Sequence, residues 1–235
     1  MTGGSFFVTG TDTGVGKTVV ACALVRAFAA AGERVAVMKP IASGSARTAA
    51  GLRNEDALAL LAAANLPLAY TQVNPYCFEP AVSPHIAAEE AKIEIDIVTI
   101  EAGFRSLQSL SDRVIVEGAG GWLAPINARE SMGDLARALG IPAVLVVGLR
   151  LGCLNHAELT RRAIESMGVA FAGWVANRLG PPMEREAENL ATLTRRLGCA
   201  PLALVPFASA SAATLRLDGA AALLAQSAKK REIPA

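Results

Sequence analysis

Residues 5–18 read Ser-Phe-Phe-Val-Thr-Gly-Thr-Asp-Thr-Gly-Val-Gly-Lys-Thr, and this stretch decides the fold. Ser5–Thr9 has the apolar pattern of a buried strand, and the Ala- and Val-rich segment Lys17–Ala31 has the pattern of a helix. A Gly-rich loop between a strand and a helix is the setting of a phosphate-binding P-loop. The strict motif has glycine at position 11, where this chain has Thr11 directly after Gly10. An ordinary Gly-rich turn with a solvated lysine is the alternative, and the order of the elements favours the P-loop.

Outward from this stretch, short apolar runs alternate with longer helical patterns, which is typical of α/β proteins. Strands are predicted at Ser5–Thr9, Arg34–Lys39, Arg113–Glu117, Ala143–Val147, Phe171–Ala176 and Leu202–Val205. Helices are predicted at Lys17–Ala31, Asn54–Ala64, Ile97–Leu110, Met132–Leu139, His156–Met167, Met183–Leu197 and Ala213–Ala228. Because Val144–Val147 is apolar throughout, its strand is expected to be buried on both faces, as in parallel sheets. The pattern predicts a doubly wound, mostly parallel α/β sheet flanked by helices, P-loop NTPase-like, in one domain over residues 1–235.

The composition excludes several classes of protein. Hydrophobic residues make up 52% of the chain and charged residues 18%, the opposite of the balance in disordered proteins. The longest apolar run, Ile141–Leu149, is too short to span a bilayer, which needs about 20 residues. The formal net charge of +1 gives no general electrostatic reason to bind nucleic acid or an anionic membrane. We expect a soluble protein that binds neither.

The N-terminal residues and the cysteines predict the compartment. Met1–Ser5 lacks the basic region of a secretory signal, and a strand pattern follows at once. The cysteines are scattered and have only two histidines as imidazole partners; they are Cys22, Cys77, Cys153 and Cys199. Disulfide frameworks and zinc sites are usually more tightly clustered, so we expect reduced thiols in a cytoplasmic protein.

In a doubly wound sheet ligands bind at the carboxyl ends of the strands, so the residues there are the candidates for chemistry. In the P-loop, backbone N–H groups surround phosphate oxygens, Lys17 is expected to neutralise the β- and γ-phosphates, and Thr18 to bind Mg²⁺. Glu117 ends a predicted strand and is a second candidate Mg²⁺ ligand, like the acids of Walker B motifs; its alternative is a strand-end acid in solvent. Asp56 at a helix start and Lys39 at a strand end have ordinary alternatives, a favourable helix dipole and a solvated lysine.

The segment after the fourth predicted strand, Gly148–Glu158, is a candidate anion site. Asn155 and Glu158 have the spacing of an N-cap residue and its partner in a capping box, which predicts a helix beginning at His156. The N-terminus of such a helix could hold a substrate carboxylate. A well-capped helix without a ligand is the plainer interpretation, and the two are compatible.

Taken together, the motifs of this chain resemble those of the dethiobiotin synthetases of the biotin pathway. The matching segments extend over most of the chain; they are Phe7–Thr18, Lys39–Gly44, Gly51–Asp56, Val73–Tyr76, Ser83–His85, Val116–Trp122, Leu151–His156 and Gly173–Asn177. The resemblance implies that ATP, CO₂ and 7,8-diaminononanoate give dethiobiotin, ADP and phosphate. It further implies a carbamate and then a carbamic–phosphoric anhydride, which the second amine attacks to close the ureido ring.

The same resemblance implies roles for individual residues. Lys17 and Lys39 match catalytic lysines, and Thr18, Asp56 and Glu117 match the residues that hold Mg²⁺. The implied nucleotide site consists of Thr13, Gly14, Val15, Gly16, Lys17, Thr18, Val19, Asp56, Glu117, Gly118, Ala119, Gly120, Asn177, Arg178, Pro206, Phe207 and Ala208. The implied diamine site consists of Ser43 and, reaching the substrate carboxylate from the second subunit of a homodimer, Gly152, Cys153, Leu154 and Asn155.

One feature departs from the expected pattern, and one residue suggests a different chemistry. The family often has an acidic residue in the loop after Pro206, where this chain has Ala213 in an Ala- and Ser-rich stretch. Alanine cannot hydrogen-bond a base or a ribose, so the choice between ATP and other nucleoside triphosphates stays open. Cys153 also suggests a nucleophile, but no histidine arrangement in the sequence supports that interpretation.

Three other functions are open to a P-loop protein of this kind. Partitioning-type ATPases have a second lysine five residues before the P-loop lysine, and here Asp12 occupies that position, which argues against such a switch. Another ligase or amidotransferase synthetase of the same group is less expected, because no glutaminase domain follows in the sequence. A nucleotide-binding scaffold would bind ATP without turnover that depends on the diamine.

Overall fold

The central feature of the fold is a sheet of parallel strands. The computed structural model describes residues 4–207 and Leu223. Its strands are β1 (Phe6–Gly10), β2 (Val35–Met38), β3 (Ile41–Ala42), β4 (Ala46–Thr48), β5 (Gly51–Arg53), β6 (Tyr76–Cys77), β7 (Arg113–Glu117), β8 (Ala143–Leu149), β9 (Phe171–Arg178) and β10 (Ala203–Val205). Its helices are α1 (Lys17–Ala30), α2 (Glu55–Ala63), α3 (Tyr70–Val73), α4 (Pro84–Ala91), α5 (Ile97–Leu110), α6 (Met132–Leu139), α7 (Cys153–Ser166) and α8 (Glu186–Leu197). The main sheet has six strands in the order β10-β9-β8-β1-β7-β2, and each pairing within it is parallel.

Helices cover both faces of this sheet. Successive side chains of β1 point to opposite faces, as they must in any strand. On one face Phe6 and Val8 pack against α1, where the rings of Phe6 and Phe28 stack with centroids 6.0 Å apart. On the other face Phe7 belongs to the core formed with α5 and α6, which includes the buried Phe104. The predicted doubly wound, mostly parallel α/β sheet is therefore confirmed.

The register of β1 brings three loops together at one edge. Val8 lies opposite Glu117 of β7, and Gly10 lies opposite Val146 of β8. Because the strands are parallel, the loops after β1, β7 and β8 all leave the sheet at its carboxyl edge. The order of the strands places the loop after β1 between the other two.

The region between β2 and α5 contains elements that the sequence does not predict. β3 pairs with β6 in parallel, β4 pairs with β5 in an antiparallel hairpin, and α3 and α4 lie among them. A strand of two or three residues is too short to show a hydrophobic period, so the sequence gives no signal for it.

The start of α8 differs from the prediction, and the last predicted helix lies almost wholly outside the described residues. α8 begins at Glu186 rather than at the predicted Met183. Of the predicted helix Ala213–Ala228 only Leu223 is among the described residues, and Ala208 lies outside them. None of the helices that the structure describes combines the length and the apolarity needed to cross a membrane.

Candidate active site

The loop between β1 and α1 is held on two sides by the sheet. Thr11 N–H donates to Val146 O of β8 at 3.0 Å, and Asn177 Nδ2 at the end of β9 donates to Val15 O at 2.8 Å. Gly16 has φ 90°, and a Cβ there would lie 2.2 Å from Asn177 Nδ2, so only glycine fits this position. The backbone of the predicted P-loop is thus held in place by β8 and β9.

Lys17 begins α1 directly after this loop. Its side chain is largely buried, and its Nζ donates to Asp12 O at 2.9 Å. Burial and, after it, the positive charge of Lys39 lower the pKa of Lys17 to about 8, against the attraction of nearby carboxylates. An anion placed beside Lys17 would favour its charged form.

Four elements bring four side chains into one cluster. Thr18 Oγ1 lies 2.8 Å from Asp56 Oδ1 and 2.9 Å from Glu117 Oε1, and these two carboxylates share its single proton as acceptors. Lys39 Nζ donates to the same two carboxylates, at 3.0 Å to Asp56 Oδ2 and 2.7 Å to Glu117 Oε1. These residues come from α1, α2, β7 and the end of β2, so the sheet edge and the start of α2 together form the cluster.

The charges in this cluster depend on one another. Burial by itself would lower the pKa of Lys39, but the carboxylates of Glu117 and Asp56 outweigh it and raise that pKa. Burial raises the pKa of Glu117, against the opposing attraction of Lys39. At Asp56 burial is outweighed by the charge and hydrogen bond of Lys39 and by Thr18, so its pKa is lowered. Lys39 is therefore held as a buried cation between two acids.

The residues in this cluster fit Mg²⁺. Glu117 Oε2 is buried and has no hydrogen-bond partner among the described residues. No group of three or more His, Cys, Asp or Glu side chains within residues 4–207 could hold a metal. Mg²⁺ does not need one, because it usually takes one or two carboxylates and completes its shell with water and substrate phosphates. Thr18, Asp56 and Glu117 could supply such a partial shell.

Most of the other residues predicted for the nucleotide lie at the ends of strands or directly after them. Gly118, Ala119 and Gly120 follow β7, and Gly118 N–H donates to Val8 O at 3.0 Å. Arg178, at the end of β9, pairs with Glu186 at 2.6 Å. Pro206 and Phe207 follow β10, and the Phe207 side chain is exposed.

The prediction that Asn155 is a helix N-cap is wrong. α7 begins at Cys153, not at His156, and its N-cap is Gly152 with φ 95°. Glycine reaches this left-handed conformation without strain, so the chain enters the helix earlier and Asn155 lies exposed in the first turn. Glu158 pairs with Arg162 and with Arg196 instead of capping.

The remaining residues predicted for the diamine are placed on two elements. Ser43 follows β3 and is half-buried. Cys153 is the first residue of α7, and its side chain is buried in the core. Leu154 and Asn155 line an outer groove of about 440 Å³ between α7 and α8, together with Leu159, Thr192 and Arg196.

An ion pair that was not predicted from the sequence joins the loops after β1 and β8. Arg150 follows β8, and its Nη2 lies 2.5 Å from Asp12 Oδ2 in the P-loop. The pKa of Asp12 is lowered by the Thr13 backbone N–H and by Arg150, despite some burial. The only signal in the sequence was a charged residue directly after a strand.

Comparison with known proteins identifies the family. A family model described as an AAA domain matches residues 4–214. ATP-dependent dethiobiotin synthetase BioD of Pseudomonas paraeruginosa is 54% identical over 203 residues, which cover 86% of this chain and 89% of that one. The chain belongs to the ATP-dependent dethiobiotin synthetase family. The BioD 1 synthetase of Escherichia coli K12 is 48% identical over 202 residues, covering 86% and 90% of the two chains.

This membership confirms the resemblance seen in the sequence motifs. As a member of the synthetase family the chain is an ATP-dependent ligase that forms C–N bonds and belongs to biotin biosynthesis. The partitioning ATPase and the scaffold are thereby set aside.

Solved structures share the fold at low identity. MinD of Aquifex aeolicus superimposes with a TM-score of 0.58 and 16% identity over 98% of both chains. A ParA family ATPase of Chlorobium tepidum has a TM-score of 0.53 and 15% identity over 97% of this chain and 92% of that one. These similarities concern the fold, which is that of P-loop NTPases.

Proposed function

We propose that this synthetase converts CO₂, 7,8-diaminononanoate and ATP into dethiobiotin, ADP and phosphate. One amine captures CO₂ as a carbamate, the carbamate takes the γ-phosphoryl group of ATP, and the second amine attacks the carbonyl carbon and releases phosphate. The observation that supports this best is the buried Lys39 beside Glu117, Asp56 and Thr18, next to a loop shaped for phosphate.

The chain's own residues supply the charges that such a reaction needs. The N–H groups of residues 13–19 and the Lys17 ammonium would hold the β- and γ-phosphates. Lys39 would stabilise negative charge on the carbamate and on the γ-phosphoryl group during transfer. When bound by Thr18, Asp56 and Glu117, Mg²⁺ supplies charge neutralisation at the phosphates.

We assign different residues to the diamine and to the base of the nucleotide. Ser43 would contact the diamine near its amines. We assign the base to Asn177, Arg178, Pro206, Phe207 and Ala208. Ala213 leaves the choice of nucleoside triphosphate to experiment.

The substrate carboxylate would be held by residues 152–155 of a second copy of the chain, so we propose a homodimer with shared sites. Leu151, just before α7, is 95% exposed and Leu159, on α7, is 58% exposed, which supports burial against a second copy. Light scattering at the concentration used for turnover would give the mass of two chains. The mass of one chain would contradict the shared site.

The reaction itself is tested by product. Purified protein is incubated with MgATP, bicarbonate and 7,8-diaminononanoate, and dethiobiotin and ADP are measured by mass spectrometry. We expect dethiobiotin only when all three substrates are present. ATP binding without dethiobiotin would move the assignment to another ligase of the group. The four cysteines are free thiols, which supports a cytoplasmic location for this activity.

A further inference from the structure

The backbone of Lys39 is held by a segment that the reaction does not use. Lys39 N–H donates to Val73 O at 2.8 Å, and Asn74 Nδ2 donates to Lys39 O at 2.7 Å. Lys39 lies just beyond β2, outside its ladder with β7, and Pro40 follows it. Its two backbone polar groups are therefore fixed by the end of α3 rather than by the sheet.

The start of α2, which carries Asp56, depends on a second asparagine. Asn54 is the N-cap of α2, and its Oδ1 accepts from Asp56 N–H at 3.1 Å and from Ala57 N–H at 3.3 Å. Its Nδ2 donates to Ser43 O at 3.3 Å. Asn54 thus fixes the start of α2 and, with it, the backbone that carries the Asp56 carboxylate.

One hydroxyl group joins these two supports. Tyr70 OH accepts from Asn54 N–H at 2.8 Å and donates to Asn74 Oδ1 at 2.9 Å. Burial and, after it, a hydrogen bond with Cys77 raise the pKa of Tyr70 to about 12, so the hydroxyl stays protonated. The Arg53 guanidinium lies 4.2 Å from the centre of the Tyr70 ring. Asn74 itself is 2% exposed.

We propose that Tyr70 is a positioning residue for the catalytic cluster. Its hydroxyl fixes the backbone of Lys39, through Asn74, relative to the N-cap of α2, through Asn54. It thereby sets the contact of 3.0 Å between Lys39 Nζ and Asp56 Oδ2. The inference rests on the proposed function, because it takes Lys39 to act on the reacting groups. Displacements of about 1 Å in such groups are enough to slow a reaction strongly.

The test compares Tyr70, whose hydroxyl joins Asn54 to Asn74, with Tyr76, whose hydroxyl does not. Tyr70→Phe removes the joining hydroxyl, whereas Tyr76→Phe removes a hydroxyl that accepts from Asp96 N–H at 3.2 Å, at the start of α5. Calorimetric titration with MgADP counts the competent sites, and kcat is expressed per site. We expect Tyr70→Phe to lower kcat per site about 10-fold and to leave KM for the diamine within about twofold. Tyr76→Phe should stay within about twofold of the parent in both.

A second readout does not depend on turnover. The ratio of the Kd for ADP in EDTA to the Kd for ADP in Mg²⁺ reports how well Asp56 is placed. We expect Tyr70→Phe to lower this ratio about fivefold and Tyr76→Phe to leave it unchanged. A merely structural role would lower the Tm and the number of sites but neither kcat per site nor the ratio.

The outcomes separate the two proposals. If the parent protein makes no dethiobiotin, the proposed reaction is contradicted. The ratio of the two Kd values for ADP then decides the role of Tyr70 by itself. If the parent is active and Tyr70→Phe keeps both its kcat per site and its ratio, the positioning role is overturned while the reaction stands.

Discussion

Lys39 Nζ lies 2.7 Å from Glu117 Oε1, and the two side chains are 5% and 0% exposed. An ion pair this deeply buried adds little net stability, because desolvation offsets the attraction between the charges. Removal of one partner is costly, since it leaves the other charge buried alone. The pair is therefore better explained by chemistry at the sheet edge than by stability.

Replacement of Lys39 should affect turnover more than nucleotide binding. Lys39→Met removes the ammonium that we propose to lie beside the γ-phosphoryl group but leaves the P-loop intact, so we expect kcat to fall at least about 100-fold. The Kd for ATP from calorimetry should change less than about fivefold. Lys92→Met, at the exposed C-cap of α4, is the control. Lost ATP affinity with unchanged kcat would contradict the catalytic role.

Lys39→Met should also lower the stability of the fold, because it leaves the charge of Glu117 buried without a partner. Lys39→Met should lower the free energy of unfolding by about 3 kcal/mol, because the Glu117 carboxylate loses its cation. Lys39→Met combined with Glu117→Gln should recover at least about half of that loss, since no charge is left buried without its partner. Urea denaturation measures both. A double variant whose loss equals the sum of the single losses would show that the two residues are not coupled.

Nucleotide binding should be linked to protonation of Lys17. The pKa of Lys17 is about 8 in the free protein, and bound phosphate should raise it. Binding of ADP in EDTA at about pH 8.5 should therefore take up a proton, and the uptake should shrink as the pH falls towards 7. Calorimetry in buffers of different ionisation enthalpy measures it. Lys17→Arg stays charged and should show no such uptake, so equal uptake in both proteins would exclude Lys17 as its source.

Replacement of Asn155 should weaken binding of the diamine and leave the stability of the fold unchanged. It is exposed and does not cap α7, so Asn155→Ala should raise KM for the diamine about 10-fold and change the free energy of unfolding by less than about 0.5 kcal/mol. Ser131 is the true cap of α6, where its Oγ accepts from Asp134 N–H. Ser131→Ala should cost about 1 kcal/mol without any change in KM. The reverse pattern in Asn155→Ala would remove it from the carboxylate site.

The sequence predicts those parts of the molecule that have a local signal. The strand that ends at Gly10 and the helix that begins at Lys17 each show their own hydrophobic pattern, and the loop between them carries a recognisable motif. Asn155 was misplaced because a capping motif fits several helix starts, and only the conformation of Gly152 selects one. The sequence does not point to Tyr70 as a positioning residue. Its partner Asn54 comes close to Tyr70 and Asn74 only through the packing of α3 against α2.

Thr18 and Glu117 are 99 positions apart in the chain, yet their side chains are hydrogen-bonded. Contacts between such distant residues form only after a long loop has closed, which makes them late events in folding. The cluster therefore arises when β1 and β7 pair and α2 docks, not when the helices first form. During refolding from urea, recovery of synthetase activity should lag behind the far-ultraviolet signal of the helices.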